Sequence, residues 1–375
     1  MSKLFILAAA FLVAVTVVTC NREIVYEEDA FDPEKLTGQD LVNYVNSRQG
    51  LWKAEINAKF ASFSKKVVSG LLGVNHVRLS TKALKHMSPT HAAVVDIPDE
   101  FDSREYWPKC PGIKEIRDQS SCGSCYLESS TSVISDRLCI ASEGQIQDEI
   151  SVADPLACCK ACGYGCDGGE PLEVFKFYVK EGIVTGSEYG DTKNTCRPYP
   201  FPQCEHHSNS THFSPCKHDL FPTPKCEHKC QNKYTKSYKD DKHYGKIAYS
   251  IKRDEASIQK EVLLHGPVSV AFEVYEDFML YKGGIYEHKG GKMEGGHAVR
   301  LIGWGVERGV KYWLIANSWN EDWGEKGTFR IRRGTNECGI EESAVAGLPK
   351  LTKIRGRFYS QGKVHQESSS EELFF

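Results

Sequence analysis

The sequence predicts an α+β fold in two lobes behind a removable N-terminal segment, and three observations carry that expectation. Apolar residues recur first at helical and then at strand spacing along the body of the chain. Fourteen of the fifteen cysteines lie in that body, between Cys110 and Cys338, and none falls between Asn21 and Lys109. The chain also opens on an apolar run behind one lysine.

In chain order, Lys3 precedes the apolar stretch Leu4 to Val18, and polar sequence resumes at Asn21. A charged start, a short apolar core and a switch to polar residues read as a secretory signal over residues 1–20. A membrane anchor is the competing reading, but a span needs about twenty apolar residues and no later segment approaches that. Residues 21–96 are polar and cysteine-free and read as a prosegment. Within it, Leu41, Val42, Val45, Trp52, Ile56, Phe60 and Phe63 recur at roughly helical separations from Asp40 to Phe63.

The cysteine-rich body spans residues 97–350. Ser124 to Ala141 is the longest helix candidate, and Pro171 to Glu181 carries Leu172, Val174, Phe175 and Phe177 on a helical pattern. Thr192 to Asp241, rich in Pro, His, Cys and Lys, reads as stapled loop. Val268–Val274, His297–Trp304, Lys311–Ala316 and Gly327–Ile331 are β-rich runs broken by glycine. The tail, residues 351–375, is polar and reads as disordered.

A formal charge of -3 gives no electrostatic case for a nucleic-acid partner. An oxidising route would turn the cysteines into disulfides. Cys122-Gly-Ser-Cys125 and Cys159-Lys-Ala-Cys162 also have the spacing of zinc or redox pairs, but zinc needs free thiolates converging from two such pairs. No metal or cofactor is expected.

Cys125 stands at the start of the long helix candidate, where free amides and the helix dipole favour a thiolate. Its base must come from elsewhere. His297 follows two glycines at the head of a strand run, and Asn317 closes another run twenty residues later, where an amide can accept the second imidazole N–H. Gln119, six residues before Cys125, can offer an N–H to an oxyanion beside the Cys125 amide. These residue types together describe a thiol nucleophile, a base, an orienting amide and an oxyanion donor.

Cys122-Gly-Ser-Cys125-Tyr126, Gly296-His-Ala298, Asn317-Ser-Trp319 and Trp323-Gly324 resemble the signature boxes of the papain family of cysteine proteases. Cys204-Glu-His-His207, closed by Cys216, resembles the occluding loop of its cathepsin B-like branch, here about residues 196–217, and the similarity runs from about Leu41 to Pro349. The resemblance implies a helical left lobe, a β-barrel-like right lobe and synthesis as a zymogen. It implies endopeptidase and carboxydipeptidase activity on peptide and protein substrates, with the prosegment and cystatin-type proteins as inhibitors, in a lysosomal, endosomal or extracellular destination.

It further implies the disulfides Cys110–Cys139, Cys122–Cys166, Cys158–Cys226, Cys159–Cys162, Cys196–Cys230 and Cys204–Cys216. Substrate contacts would come from Gly168, Gly169, Glu170, Gly296, Ala298, Trp319 and Ser343. His207 would bind a C-terminal carboxylate and His206 would pair with Asp118. Asn209-Ser-Thr211 is a glycosylation sequon.

Three departures stand out. Tyr126-Leu127-Glu128 puts a carboxylate where a buried aromatic is expected, which is costly if unpaired and predicts reduced stability or activity. Ser343 occupies the place of the family's acid for basic side chains, while Glu170 brings a carboxylate to the same pocket. Thr211–Pro215 lacks the arginine expected to meet Asp322, so a single clasp on the loop is expected. A catalytically impaired homologue that binds peptides or inhibitors, and a disulfide oxidoreductase using Cys122 and Cys125, are the competing classes.

Overall fold

The computed structural model describes residues 31–56, 65–78, 95–206 and 211–351. The proposed signal, His207, Asn209 and the C-terminal tail beyond Leu351 lie outside the described residues. Among the described residues no helix is long and apolar enough to cross a membrane.

The chain enters through α1 (Gly38–Arg48), β1 (Trp52–Ala54) and α2 (Lys65–Leu71). Leu41, Val42 and Val45 form the buried stripe of α1. The helical pattern expected from Asp40 to Phe63 is corrected here: the helix stops at Arg48 and Trp52 begins a strand. The Gln49 side chain is the local reason, because its Oε1 accepts from the Leu51 and Trp52 amides and turns the chain out of the helix. Trp52 then pairs in register with Gly284 and buries its ring against Tyr281 and Tyr286. Tertiary packing overrode the periodicity.

The helical half follows β2 (Phe101–Asp102) and α3 (Ser103–Tyr106) and consists of α4 (Cys125–Ala141), α5 (Ala153–Cys158) and α6 (Pro171–Lys180). Helix α4 is buried around most of its circumference, as expected of a helix packed between two lobes. The buried charge of its Arg137 is met by Glu261 at 3.0 Å and by the Pro267 and Gly266 carbonyls. After a long loop come β3 (Gly245–Ser250), α7 (Glu255–His265), β4 (Val268–Tyr275), β5 (Tyr281–Tyr286), β6 (Met293–Glu307), β7 (Val310–Ala316), β8 (Thr328–Arg332) and β9 (Val345–Pro349).

The sheet runs β1-β5-β8-β7-β6-β4-β9-β3, with β2 added on β6. Pairing is antiparallel except between β5 and β8. One core lies within the sheet lobe around Phe272, Trp304, Trp313 and Phe329, and another packs Leu127, Val133, Leu172 and Phe175 between the helices. Three of the four expected strand runs fall inside β4, β6 and β7, and the fourth lies in β8 apart from Gly327, one residue before it. Strand β6 therefore delivers His297 and β7 ends at Asn317's doorstep, both facing the first turn of α4.

Candidate active site

Cys125 is the first residue of α4 and is fully buried. The structure joins Cys122 to Cys166, along with the other five pairs the resemblance implies, which leaves Cys125 and the partly buried Cys338 as the free thiols among the described residues. Among the described residues, the two clusters with metal-ligand geometry, at Cys158 with Cys226 and at Cys204 with Cys216, are built on these disulfide sulfurs. They have no thiolates to offer.

His297, also fully buried, sets its Nε2 2.7 Å from Asn317 Oδ1. An amide oxygen only accepts, so Nε2 carries the proton and Nδ1 is the unprotonated nitrogen. The ring stacks on Trp319, with centroids 4.8 Å apart. Trp319 is itself buried and donates from Nε1 to Gln119 Oε1 at 3.1 Å, where Ser318 Oγ also donates at 2.8 Å. Those two donors fix the Gln119 amide so that its Nε2 donates to the Leu71 and Cys122 carbonyls. Burial pushes the Cys125 thiol up to about 11, against hydrogen bonds from the Ala298, Gly73 and Tyr126 amides. Burial likewise pulls His297 down to about 4, against its bond to Asn317. As folded, the pair is a neutral thiol and a neutral imidazole.

The cause of that burial includes a stretch that sequence reasoning placed in the prosegment but did not connect to the site. Residues 71–78 run through the cleft. Leu71 O accepts from Gln119 Nε2 at 2.9 Å, and the Gly73 N–H points at Cys125 Sγ at 3.2 Å. Gly169 N donates to Gly73 O at 2.9 Å and Val74 N donates to Gly296 O at 3.0 Å. A Cβ at Gly73 would sit 1.9 Å from Gly123 O, so only glycine allows this approach. Beyond it, His76 Nδ1 lies 2.9 Å from Glu170 and Arg78 lies 3.4 Å from Glu342. A lone glycine between apolar residues was the sequence signal available for this segment.

At the other end of the cleft the loop is fastened to the sheet lobe. His206 Nε2 donates to Asp118 Oδ1 at 2.6 Å, with both side chains buried. Asp118 Oδ2 also accepts from the Cys204 amide at 3.0 Å and from Asn320 Nδ2 at 3.1 Å. Asn320 was not singled out from sequence. His212 meets Asp322 at 3.5 Å, so the loop carries a second contact where a single clasp was expected.

Residues 97–348 match the family model described as papain family cysteine protease. The chain belongs to the papain family of cysteine proteases. It is 54% identical over 349 residues to cathepsin B-like cysteine proteinase 6 of Caenorhabditis elegans, covering 92% of this chain and 90% of the relative. It is similar to the solved procathepsin B S9 of Trypanosoma congolense, with a TM-score of 0.69 and 36% identity, covering 84% of this chain and 99% of that one. The digestive procathepsin L 3 of Tenebrio molitor, at 21% identity and a TM-score of 0.57 over 82% of this chain and 86% of that one, shares the fold. The chain is accordingly a cysteine peptidase with the two-lobed fold of its family and a zymogen's N-terminal segment.

Two of this papain-family chain's departures look different once placed. Glu128 is buried as expected, but its Oε2 lies 3.8 Å from the Arg117 guanidinium, which itself reaches Glu149 at 3.2 Å. Burial outweighs Arg117 and pushes Glu128 up to about 8, so it is neutral in mild acid. The carboxyl is therefore neither unpaired nor obligatorily charged. Ser343 is buried with both hydroxyl functions spent on one residue, donating to Ala271 O at 2.8 Å and accepting from Ala271 N at 2.7 Å. Glu170 and Glu342 are the acids that meet His76 and Arg78, and Glu273 lines the same pocket.

Proposed function

We propose that Cys125 and His297 form the thiolate–imidazolium pair of a cathepsin B-like endopeptidase and carboxydipeptidase, held inactive by residues 71–78 of its own prosegment. The observation that carries this reading is the main chain lying in the cleft. Leu71 O sits on the Gln119 Nε2 donor while Gly73 N meets Cys125 Sγ, so a peptide already occupies both the oxyanion donor and the nucleophile. Removal of that segment readmits water, lowers the desolvation of both groups and favours the ion pair.

The thiolate then attacks the scissile carbonyl, and Gln119 Nε2 and the Cys125 amide take the oxyanion's charge. His297, held by Asn317, gives its proton to the leaving amine, and a water deprotonated by the same ring releases the acyl group. Gly169 and Gly296 offer the substrate the main-chain bonds now made to Gly73 and Val74. Glu170 and Glu342, which meet His76 and Arg78, favour basic side chains beside the cut.

The His206–Asp118 contact holds a loop whose His207 takes a C-terminal carboxylate, which is the basis for dipeptide removal. The same open cleft suits cystatin-type inhibitors. The signal at residues 1–20, a prosegment over 21–96, a peptidase body over 97–350 and the Asn209 sequon fit a secretory, lysosomal or extracellular protein.

The test uses the full chain before and after release of its prosegment. Mass spectrometry of an electrophile adduct is combined with hydrolysis of a fluorogenic dipeptide amide. A single adduct on Cys125 together with hydrolysis that Cys125→Ala abolishes is the expected result. A labelled Cys125 without hydrolysis would instead identify a peptide-binding homologue.

A further inference from the structure

Glu128 and Asn317 share a small buried cavity between the first turns of α4 and the end of β7. Its walls come from Arg117, Glu128, Ser129, Ser132, Ala298 and Asn317 among others, and about 10 Å³ is open to the centre of a water molecule. That is room for one water and no more.

The polar atoms around it are unequal. Asn317 Oδ1 is fully used, accepting from His297 Nε2 and from the Ser318 amide at 2.8 Å. Asn317 Nδ2, which carries two hydrogens, is buried and finds no acceptor among the described residues. Glu128 Oε1 is buried and finds no donor, while its Oε2 faces Arg117. Of all the residues lining this cavity, these are the two with an orphaned side-chain atom, one a donor and the other an acceptor. Buried groups of that kind are normally satisfied, and an orphan costs about 1–3 kcal/mol.

We infer that Glu128 is a positioning residue for the reaction, holding the Asn317 amide through one internal water that accepts from Nδ2–H and is hydrogen-bonded to Oε1. The inference rests on the reading of His297 and Asn317 as catalytic partners. Its chemical consequence is specific. An asparagine amide that turns over presents N–H to the imidazole and demands the opposite tautomer, with the proton on Nδ1. Nδ1 of His297 is the nitrogen that must be free to take the thiol proton, and it is buried without a partner among the described residues. Anchoring Nδ2 on the far side keeps Oδ1 towards Nε2–H and Nδ1 unprotonated. The carboxyl that looked like a defect three residues after the nucleophile thereby acquires a use.

A purely structural role, the Arg117 contact, predicts changes in melting temperature without changes in turnover. The positioning role predicts the reverse emphasis. In the full chain activated by release of its prosegment and normalised by thiol titration, Glu128→Leu should lower kcat about tenfold with KM unchanged. Glu128→Gln, which still accepts from water, should lose less than about threefold. In an Asn317→Ala background the Leu substitution should cost nothing further, because the shared pathway is already broken.

Equal turnover in the Leu and Gln variants, or additive losses in the Asn317→Ala background, would overturn the inference. A high-resolution crystal structure of the full chain reads it independently of activity and of whether the Leu variant folds. One water peak bonded to Glu128 Oε1 and Asn317 Nδ2 supports the inference, and its absence sinks it. That arm also separates the two ideas, since an inactive wild type would fail the catalytic reading and leave the water to be seen or not.

Discussion

Residues 71–78 and the described ends of the loop, residues 204–206 and 211–216, are attached by opposite means. The first holds on through main-chain hydrogen bonds at Leu71, Gly73 and Val74 and through ion pairs from His76 and Arg78, whose own side chains are 78% and 71% exposed. The second is closed by a disulfide and by the His206–Asp118 contact, in which both side chains are buried. Exposed pairs contribute roughly 0–1 kcal/mol each, whereas removing one partner of a buried pair costs about 3–5 kcal/mol. The difference separates a cover built to leave from one built to stay.

The largest expected effect comes from breaking the permanent cover. Asp118→Ala strands a buried histidine and removes the acceptor of the Cys204 amide and of Asn320. Dipeptide removal should fall at least about tenfold while cleavage of C-terminally blocked peptides is kept or rises. Parallel assays on free and blocked substrates check this, and an equal fall on both would mean the loop supports the site rather than caps it.

Next comes the temporary cover. Gly73→Val in the uncleaved chain would drive a side chain into the Gly123 carbonyl, so the segment must lift. The unprocessed variant should hydrolyse a fluorogenic peptide at a rate about tenfold or more above the unprocessed parent. Retained inhibition would show that the close approach at Gly73 does not matter.

Acidity acts on the same cover through Glu170 and not through the catalytic pair. Burial holds His297 down to about 4 and Cys125 up to about 11, but uncovering moves the thiol proton onto the imidazole, so the pair binds one proton in either state across mild acid. Burial also raises Glu170, partly offset by His76, so the covered state takes up the Glu170 proton more readily and is favoured as pH falls through that step. Inhibition of the processed enzyme by a synthetic segment of residues 71–78 should therefore hold or tighten on acidification through the Glu170 step; weakening that Glu170→Gln abolishes would contradict the sign.

The smallest effects belong to the exposed contacts. His76→Ala and Arg78→Ala should each weaken inhibition by the segment less than about fivefold, and His212→Ala should change the loop's behaviour less than Asp118→Ala does. Inhibition constants of the corresponding synthetic segments, and the ratio of blocked to free substrate cleavage, rank them.

Much of this was legible in the residues. The change from helical to strand spacing placed α4, α6 and the strands carrying His297 and Asn317, because those runs are long and their apolar faces consistent. The start of α4 at Cys125 was equally plain. The helix expected through Trp52 failed because a strand partner at Gly284, more than two hundred residues away, is invisible to local periodicity. Gly73 carried no pattern beyond being a glycine, and its importance depends on a carbonyl at Gly123 brought near by the fold. Glu128 read as a liability for the same reason: Arg117 and the cavity at Asn317 are neighbours only in space. Side chains that satisfy one another across lobes leave no trace in spacing.

The central claim is that Cys125 is an unreactive thiol beneath residues 71–78 and a thiolate once they leave. The alkylation rate of Cys125 by iodoacetamide in mild acid, followed by peptide mass spectrometry in the uncleaved and the processed chain, tests it, with Cys338, the other free thiol among the described residues, as internal reference. Processing should speed labelling of Cys125 by about a hundredfold or more and leave Cys338 unchanged. Equal rates at Cys125 in the two forms would contradict it.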